Sequence, residues 1–209
     1  MGDELFGTGT DTNVGKTVLS ALLVAALNGT YWKPIQTGSR EGTDRQQVMR
    51  WVDIPESRTV VECYCFEPPV SPHLAAEMSG VTIELDRIRR PQISAPPLII
   101  EGAGGVMVPI NGSETMLDLM IHLGAPAVVA SRTALGTINH TVLTVRALRG
   151  AGVCVKGVVM IGDKNNDNEH AIERYGAVPI VGRIPMLNCI CYKTLLQVFE
   201  AEFDQGAFS

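Results

Sequence analysis

Gly7-Thr8-Gly9-Thr10-Asp11-Thr12-Asn13-Val14-Gly15-Lys16-Thr17 is the stretch on which the reading of this chain turns. It ends like a phosphate-binding loop. In the strict pattern G-x-x-x-x-G-K-[ST], however, the first glycine would fall at Thr10, and here it stands one residue earlier, at Gly9. The flanks favour phosphate all the same. Residues 4–8 (ELFGT) read as a short strand, and residues 17–27 (TVLSALLVAAL) as a helix apolar nearly all round, hence buried. Strand, loop and helix in that order aim backbone N–H groups and the positive end of the helix dipole at one point. Lys16 would then serve the β- and γ-phosphates and the Thr17 hydroxyl Mg2+. The plain alternative is a glycine- and threonine-rich turn.

Outward from the loop, short apolar runs alternate with helical patterns. Residues 30–35, 97–100, 127–131, 155–161 and 178–181 read as further strands. Helices are expected at 117–122 and at 138–149, the second stopped by Gly150-Ala151-Gly152, and another at 73–78 after the rigid turn PPVSP. The polar run 163–169 (DKNNDNE) reads as a loop. This alternation predicts an α/β fold of P-loop NTPase type, a mainly parallel sheet with helices on both faces. With 209 residues, 45% of them hydrophobic, the chain is long enough for one sizeable core and short for two, so a single domain over residues 1–209 is expected.

A net charge of -5 gives no bulk attraction to nucleic acid or to an anionic membrane, which leaves small molecules or other subunits as partners. No basic segment followed by an apolar run opens the chain, and no apolar stretch approaches the roughly 20 residues of a spanning helix. Phe6 stands where a myristoylation signal beginning Met1-Gly2 requires Ser or Thr. A cytoplasmic protein is expected. The pairs Cys63/Cys65 and Cys189/Cys191 lack the usual spacing of zinc knuckles, so the five cysteines read as reduced, partly buried thiols.

Phosphoryl transfer needs carboxylates for Mg2+, and Glu101, after the apolar Leu98-Ile99-Ile100 and before Gly102-Ala103-Gly104-Gly105, would point into the crevice at the carboxyl ends of the strands. Asp44 is a second candidate, though it would equally serve as a helix N-cap. Lys33, on backbone stiffened by Pro34, is either a fixed positive charge near a transferring phosphoryl group or a solvated edge lysine. Gly136-Thr137 before a helix suits an anion such as a carboxylate, or makes Thr137 a simple N-cap.

Taken together, GTDTNVGKT (9–17), KPIQTG (33–38), Asp44, PPVSPH (68–73), EGAGG with Pro109 (101–109), LGTINH (135–140) and VGRIP (181–185) resemble the dethiobiotin synthetase family, in its order and over nearly the whole chain. The family's own loop carries the early glycine. The resemblance implies an ATP-dependent ligase acting on 7,8-diaminopelargonic acid and CO2, with Mg2+ and a nucleoside triphosphate. It implies Mg2+ on Thr17, Asp44 and Glu101, the β- and γ-phosphates on Lys16, and Thr12 and Lys33 around the γ-phosphate and carbamate, with Thr37 also in the substrate site. Further nucleotide contacts would run through Asn13, Val14, Gly15 and Val18, through Gly102, Ala103 and Gly104 beside Glu101, and through Pro185, Met186 and Leu187. The substrate's carboxylate tail would bind Gly136, Thr137, Ile138 and Asn139 of the neighbouring subunit, which makes the active unit a homodimer.

Two positions depart from the family. Members often carry Asn, reading the adenine edge, where this chain has Ile161-Gly162, so weak selectivity among nucleoside triphosphates is expected. Asn13 stands where some members have Glu. A rival reading is a partitioning-type switch ATPase, whose signature lysine would fall at Asp11, and an acid cannot replace that cation. A degenerate nucleotide sensor is a second rival, opposed by the joint presence of Glu101, Asp44, Lys16, Thr17 and Lys33.

Overall fold

A computed structural model describes residues 4–208 of the chain. Met1-Gly2, and with them the acylation reading, lie outside the described residues. The strands are β1 (Glu4–Gly9), β2 (Thr30–Trp32), β3 (Ile35–Thr37), β4 (Thr59–Val60), β5 (Tyr64–Phe66), β6 (Leu98–Gly105), β7 (Ala127–Arg132), β8 (Val155–Ile161) and β9 (Ile180–Ile184). The helices are α1 (Lys16–Leu27), α2 (Asp44–Val52), α3 (Pro72–Met78), α4 (Met116–Leu123), α5 (Thr137–Gly150), α6 (Asn166–Gly176) and α7 (Tyr192–Glu202).

Seven strands form one sheet in the order β4-β2-β6-β1-β7-β8-β9, and every pairing is parallel. Because side chains alternate across a strand, each strand feeds two cores. Phe6, Trp32, Leu98, Ile100, Val129 and Met160 face α3, α4, α5 and α6. Leu5, Tyr31, Ile99, Val128 and Val159 face α1, α2 and α7. The expected α/β sheet covered on both faces is what folds, and among the described residues no helix is long and apolar enough to cross a membrane.

Several boundaries differ from expectation. The run 30–35 is broken because Pro34 has no N–H for the ladder. Its carbonyl instead accepts from the backbone of Cys63 and Tyr64, and Ile35–Thr37 pairs with Tyr64–Phe66 in a separate two-stranded sheet. The strand at 97–100 continues through the glycines to Gly105, so Glu101 lies within β6 and does not end it. The last strand runs from Ile180 to Ile184, beyond the expected 178–181. The run 163–169 is a loop only as far as Asn165, whose side chain accepts from Asn168 N–H and starts α6. Asp167 and Glu169 in its first turn complement the helix dipole. Helix α7 follows Cys191, which caps it together with Thr194.

Candidate active site

The quoted loop joins β1, the central strand of the seven, to the buried helix α1. Its early glycine has a steric cause. A Cβ at Gly9 would lie 2.6 Å from Val14 Cγ2 and 3.2 Å from Lys16 Cγ, so the loop folds over the glycine itself. Asn13 takes a left-handed φ of 57°, which Asn tolerates better than most side chains. Gly15 follows at φ 97° as the N-cap of α1. Thr10 N–H donates to the Ala130 carbonyl at 3.0 Å, which ties the loop to β7.

Lys16 is buried, and its Nζ donates to the Asp11 carbonyl at 2.8 Å. Burial pulls its pKa down from 10.5 to about 8, against the opposing pull of Glu101 and with help from Lys33. Asp11 is itself held: its carboxylate accepts from Thr12 N–H at 2.7 Å and from Arg132 Nη2 at 3.0 Å.

Glu101 is 1% exposed and carries three donors. Thr17 Oγ1 donates to Oε1 at 2.9 Å, Lys33 Nζ to the same oxygen at 3.2 Å, and Tyr31 OH to Oε2 at 2.9 Å. Lys33 also pairs with Asp44 Oδ2. Burial works to lower the Lys33 pKa, but Glu101 and Asp44 outweigh it and hold the ammonium above its ordinary range. Tyr31 is pushed well above its ordinary value, first by burial and then by the Glu101 charge. The edge-lysine reading of Lys33 therefore fails: the residue is buried between two carboxylates.

Asp44 is not the cap of α2. Thr43 is, in a capping box with Gln46, and Asp44 is the first helical residue, where its carboxylate is free to meet Lys33. Gln36 Oε1 accepts Asp44 N–H at 3.0 Å and fixes this helix end beside β3. Thr137 is likewise no N-cap, since Gly136 occupies that position and the buried Thr137 hydroxyl turns inward to the Arg132 carbonyl and Ser131 Oγ.

Thus Lys16, Thr17, Lys33, Asp44 and Glu101 form one cluster, although they come from the start of α1, the residue after β2, the start of α2 and the middle of β6. Val14, Gly102 and Ala103 are buried, with Val18 and Gly104 half-buried. Thr12 and Asn13 are exposed, and Thr37 is half-buried at the end of β3. Pro185, Met186 and Leu187 follow Ile184, the register partner of Ile161. A Cβ on Gly15 would lie 2.7 Å from Ile161 Cδ1, so Ile161 borders the phosphate loop. Gly136 and Asn139 are exposed and Ile138 half-buried at the start of α5, apart from the carboxylate cluster.

The residues missed in the sequence are Tyr31, Gln36 and Arg132. Tyr31 stands two positions before Lys33, and that extended spacing put both on one face. Arg132 gave a signal as well, a charge ending an apolar run.

Two cavities lie near this end of the sheet. The larger, about 930 Å3, is lined by Gly38, Cys65, Pro69 and Met78 and includes none of the phosphate-site residues. The smaller, about 440 Å3, is lined by Thr10, Asp11 and Thr12 on one side and by Val108, His140 and Leu143 on the other. The second is the candidate substrate groove, because the loop itself forms one of its walls. Four of the five thiols are exposed and Cys191 is half-exposed, rather than all partly buried, and among the described residues no group of three or more His, Cys, Asp or Glu side chains could hold a metal. The two carboxylates of the cluster share the Lys33 ammonium, and Glu101 also accepts the Thr17 hydroxyl; these carboxylate and hydroxyl oxygens are a hard-oxygen set suited to Mg2+.

A family model described as an AAA domain matches residues 3–191. The chain is 44% identical to an ATP-dependent dethiobiotin synthetase BioD of Rhodopseudomonas palustris (strain HaA2), over 96% of this chain and 94% of that protein. It is 44% identical to one of Bradyrhizobium sp. (strain BTAi1) over the whole of both, and 45% identical to one of Novosphingobium aromaticivorans over 97% of both. Among solved structures, a ParA family ATPase from Chlorobium tepidum TLS superimposes with a TM-score of 0.56 at 13% identity, covering 95% of this chain and 90% of the other. A putative plasmid partition protein from Borrelia burgdorferi B31 gives 0.51 at 9% identity, covering 95% of this chain and 98% of the other. At such identities these two likenesses establish the fold alone.

Proposed function

The chain belongs to the family of ATP-dependent dethiobiotin synthetases, and from that premise we propose how its residues divide the work of closing the ureido ring. One amine of 7,8-diaminopelargonic acid takes up CO2 as a carbamate. The γ-phosphate of ATP passes to the carbamate oxygen, the second amine attacks the carbonyl carbon, and phosphate leaves as the ring closes. ADP and phosphate are the other products.

The observation that carries this reading is the convergence of Thr17, Lys33, Asp44 and Tyr31 around the buried Glu101, beside Lys16. Phosphoryl transfer is mainly positioning and electrostatics, and a phosphate meeting an anionic carbamate needs cations on both sides. Lys16 would exchange the Asp11 carbonyl for the β- and γ-phosphates. Lys33 would face the carbamate, with Thr12 beside the transferring group and Thr37 at the substrate. Thr17, Asp44 and Glu101 would hold Mg2+, which when bound neutralises phosphate charge. Val14, Gly15 and Val18, with Gly102, Ala103 and Gly104, would border the nucleotide, and Pro185, Met186 and Leu187 would line its base.

The groove between Thr12 and Leu143 would take the alkyl chain. Its carboxylate tail would reach the α5 N-terminus of a second subunit, at Gly136, Thr137, Ile138 and Asn139. Leu135, fully exposed, with Met107 and Leu143 supplies apolar surface beside this region that a homodimer would cover. Weak nucleotide selectivity belongs to the same reading, since Ile161 offers the base neither donor nor acceptor.

Phosphate release from MgATP tests the proposal, with diaminopelargonate and bicarbonate added separately and together. Release should need both. Release indifferent to them favours a switch ATPase, and an ATP preference beyond about a hundredfold over CTP and GTP removes the selectivity part.

A further inference from the structure

Arg132 ends β7, a strand whose partner β1 runs directly into the phosphate loop. The β1–β7 ladder closes on the pair Gly9 and Ala130, so Arg132 projects two residues further, level with the loop. Its Nη2 donates both to Asp11 Oδ2 and to the Thr12 carbonyl, each at 3.0 Å. Asp11 is the hub of this turn. Its other carboxylate oxygen accepts Thr12 N–H at 2.7 Å, and its carbonyl accepts Lys16 Nζ at 2.8 Å.

We infer that Arg132 is a positioning residue for phosphoryl transfer, which clamps the Asp11-Thr12 turn so that Thr12 keeps its place as Lys16 leaves the loop for the nucleotide. The inference rests on the proposed function, which assigns Thr12 to the γ-phosphate and Lys16 to the β- and γ-phosphates. When Lys16 turns to the phosphates, the Asp11 carbonyl loses a donor, and a polyanion arrives beside an aspartate. Arg132 offsets the Asp11 charge and keeps hold of the turn through two acceptors, one of them the backbone of Thr12 itself. The two N–H groups of one terminal nitrogen serve that pair of acceptors, and a lysine ammonium, with its own several donors on a differently shaped side chain, can restore part of the clamp. The two side chains are 50% and 56% exposed, so the pair adds little to fold stability, and its effect on the reaction can be read separately.

Arg132→Gln, Arg132→Lys, Asp11→Ala and the double variant Arg132→Gln/Asp11→Ala test this by steady-state kinetics, thermal melts and calorimetric titration with ADP, which lacks the γ-phosphate. The expected result is a loss in kcat of about tenfold in Arg132→Gln and at least as much in Asp11→Ala. The double variant should be no worse than Asp11→Ala alone, because both changes remove one clamp. ADP affinity and melting temperature should stay at wild-type values, with partial recovery in Arg132→Lys. Multiplying losses in the double variant would instead put Arg132 on the reacting groups directly and overturn the clamp. Wild-type kcat in Arg132→Gln would reduce the contact to a surface pair, and a joint fall in ADP affinity and melting temperature would reduce it to general support of the fold. The wild-type control separates this test from the proposed function. Phosphate release indifferent to diaminopelargonate and bicarbonate sinks the activity, whereas multiplying losses in a substrate-dependent enzyme sink only the clamp.

Discussion

The charge on Lys16 shows how single residues are tuned at this site. Buried and only partly compensated, its ammonium has a pKa of about 8, so near neutrality it is charged and above pH 8 increasingly neutral. Nucleotide phosphates favour the charged form and raise the pKa again, so binding should take up a proton wherever free Lys16 is neutral. Calorimetry of MgATP binding in buffers of differing ionisation enthalpy should find little uptake at pH 7 and close to one proton per site at about pH 9. Proton release at the higher pH, or no pH dependence, would contradict that role. Lys33 behaves oppositely, because two carboxylates keep it charged despite burial. In the sequence Lys16 belongs to the phosphate loop and Lys33 is a charge near the phosphoryl group or an edge lysine, but nothing there sets their pKa values apart. The difference lies in how many carboxylates the fold brings to each, which no local pattern encodes.

At the level of elements, the site depends on how helices begin. Helix α2 brings Asp44 to Lys33 because Thr43 and Gln46 satisfy each other's backbone N–H groups and Gln36 accepts the N–H of Asp44. Thr43→Ala should lower stability by about 1 kcal/mol, read as a shift in the urea midpoint. An unchanged midpoint would show that the Gln36 contact alone anchors this end. Strands around the phosphate loop were legible because apolar runs with glycine exits have few alternative readings. Helices α2, α6 and α7 were not, being polar enough on one face to pass for loops until their buried anchors, Val48, Ile172 and Leu195, meet a core. The break at Pro34 was visible as a proline, but its consequence, a second small sheet, needed a partner strand some 30 residues away.

Across the whole molecule, the proposed sharing of each site between two subunits has a direct test. A Lys16→Ala chain lacks its phosphate lysine, and an Asn139→Asp chain repels the substrate carboxylate while keeping a residue that suits a helix N-terminus. Each alone should be nearly inactive. Mixed under conditions of demonstrated subunit exchange, half of the dimers become hybrids with one intact site each, so about a quarter of wild-type turnover should return. No recovery would place all the site's residues within one chain. The sequence by itself determined the phosphate loop and the alternation that makes a two-faced parallel sheet, and it nominated Lys16, Thr17 and Glu101 for the site while leaving Lys33 and Asp44 open between site and plain surface roles. Each of these is written in local patterns of a few residues. Tertiary structure alone decided that Lys33 is buried between carboxylates, that Tyr31 completes Glu101, that Arg132 holds Asp11, and that the early glycine makes room for Val14. Those contacts join residues far apart in the chain, and their geometry exists only once strand order and register have brought the ends of β1, β2, β6 and β7 together.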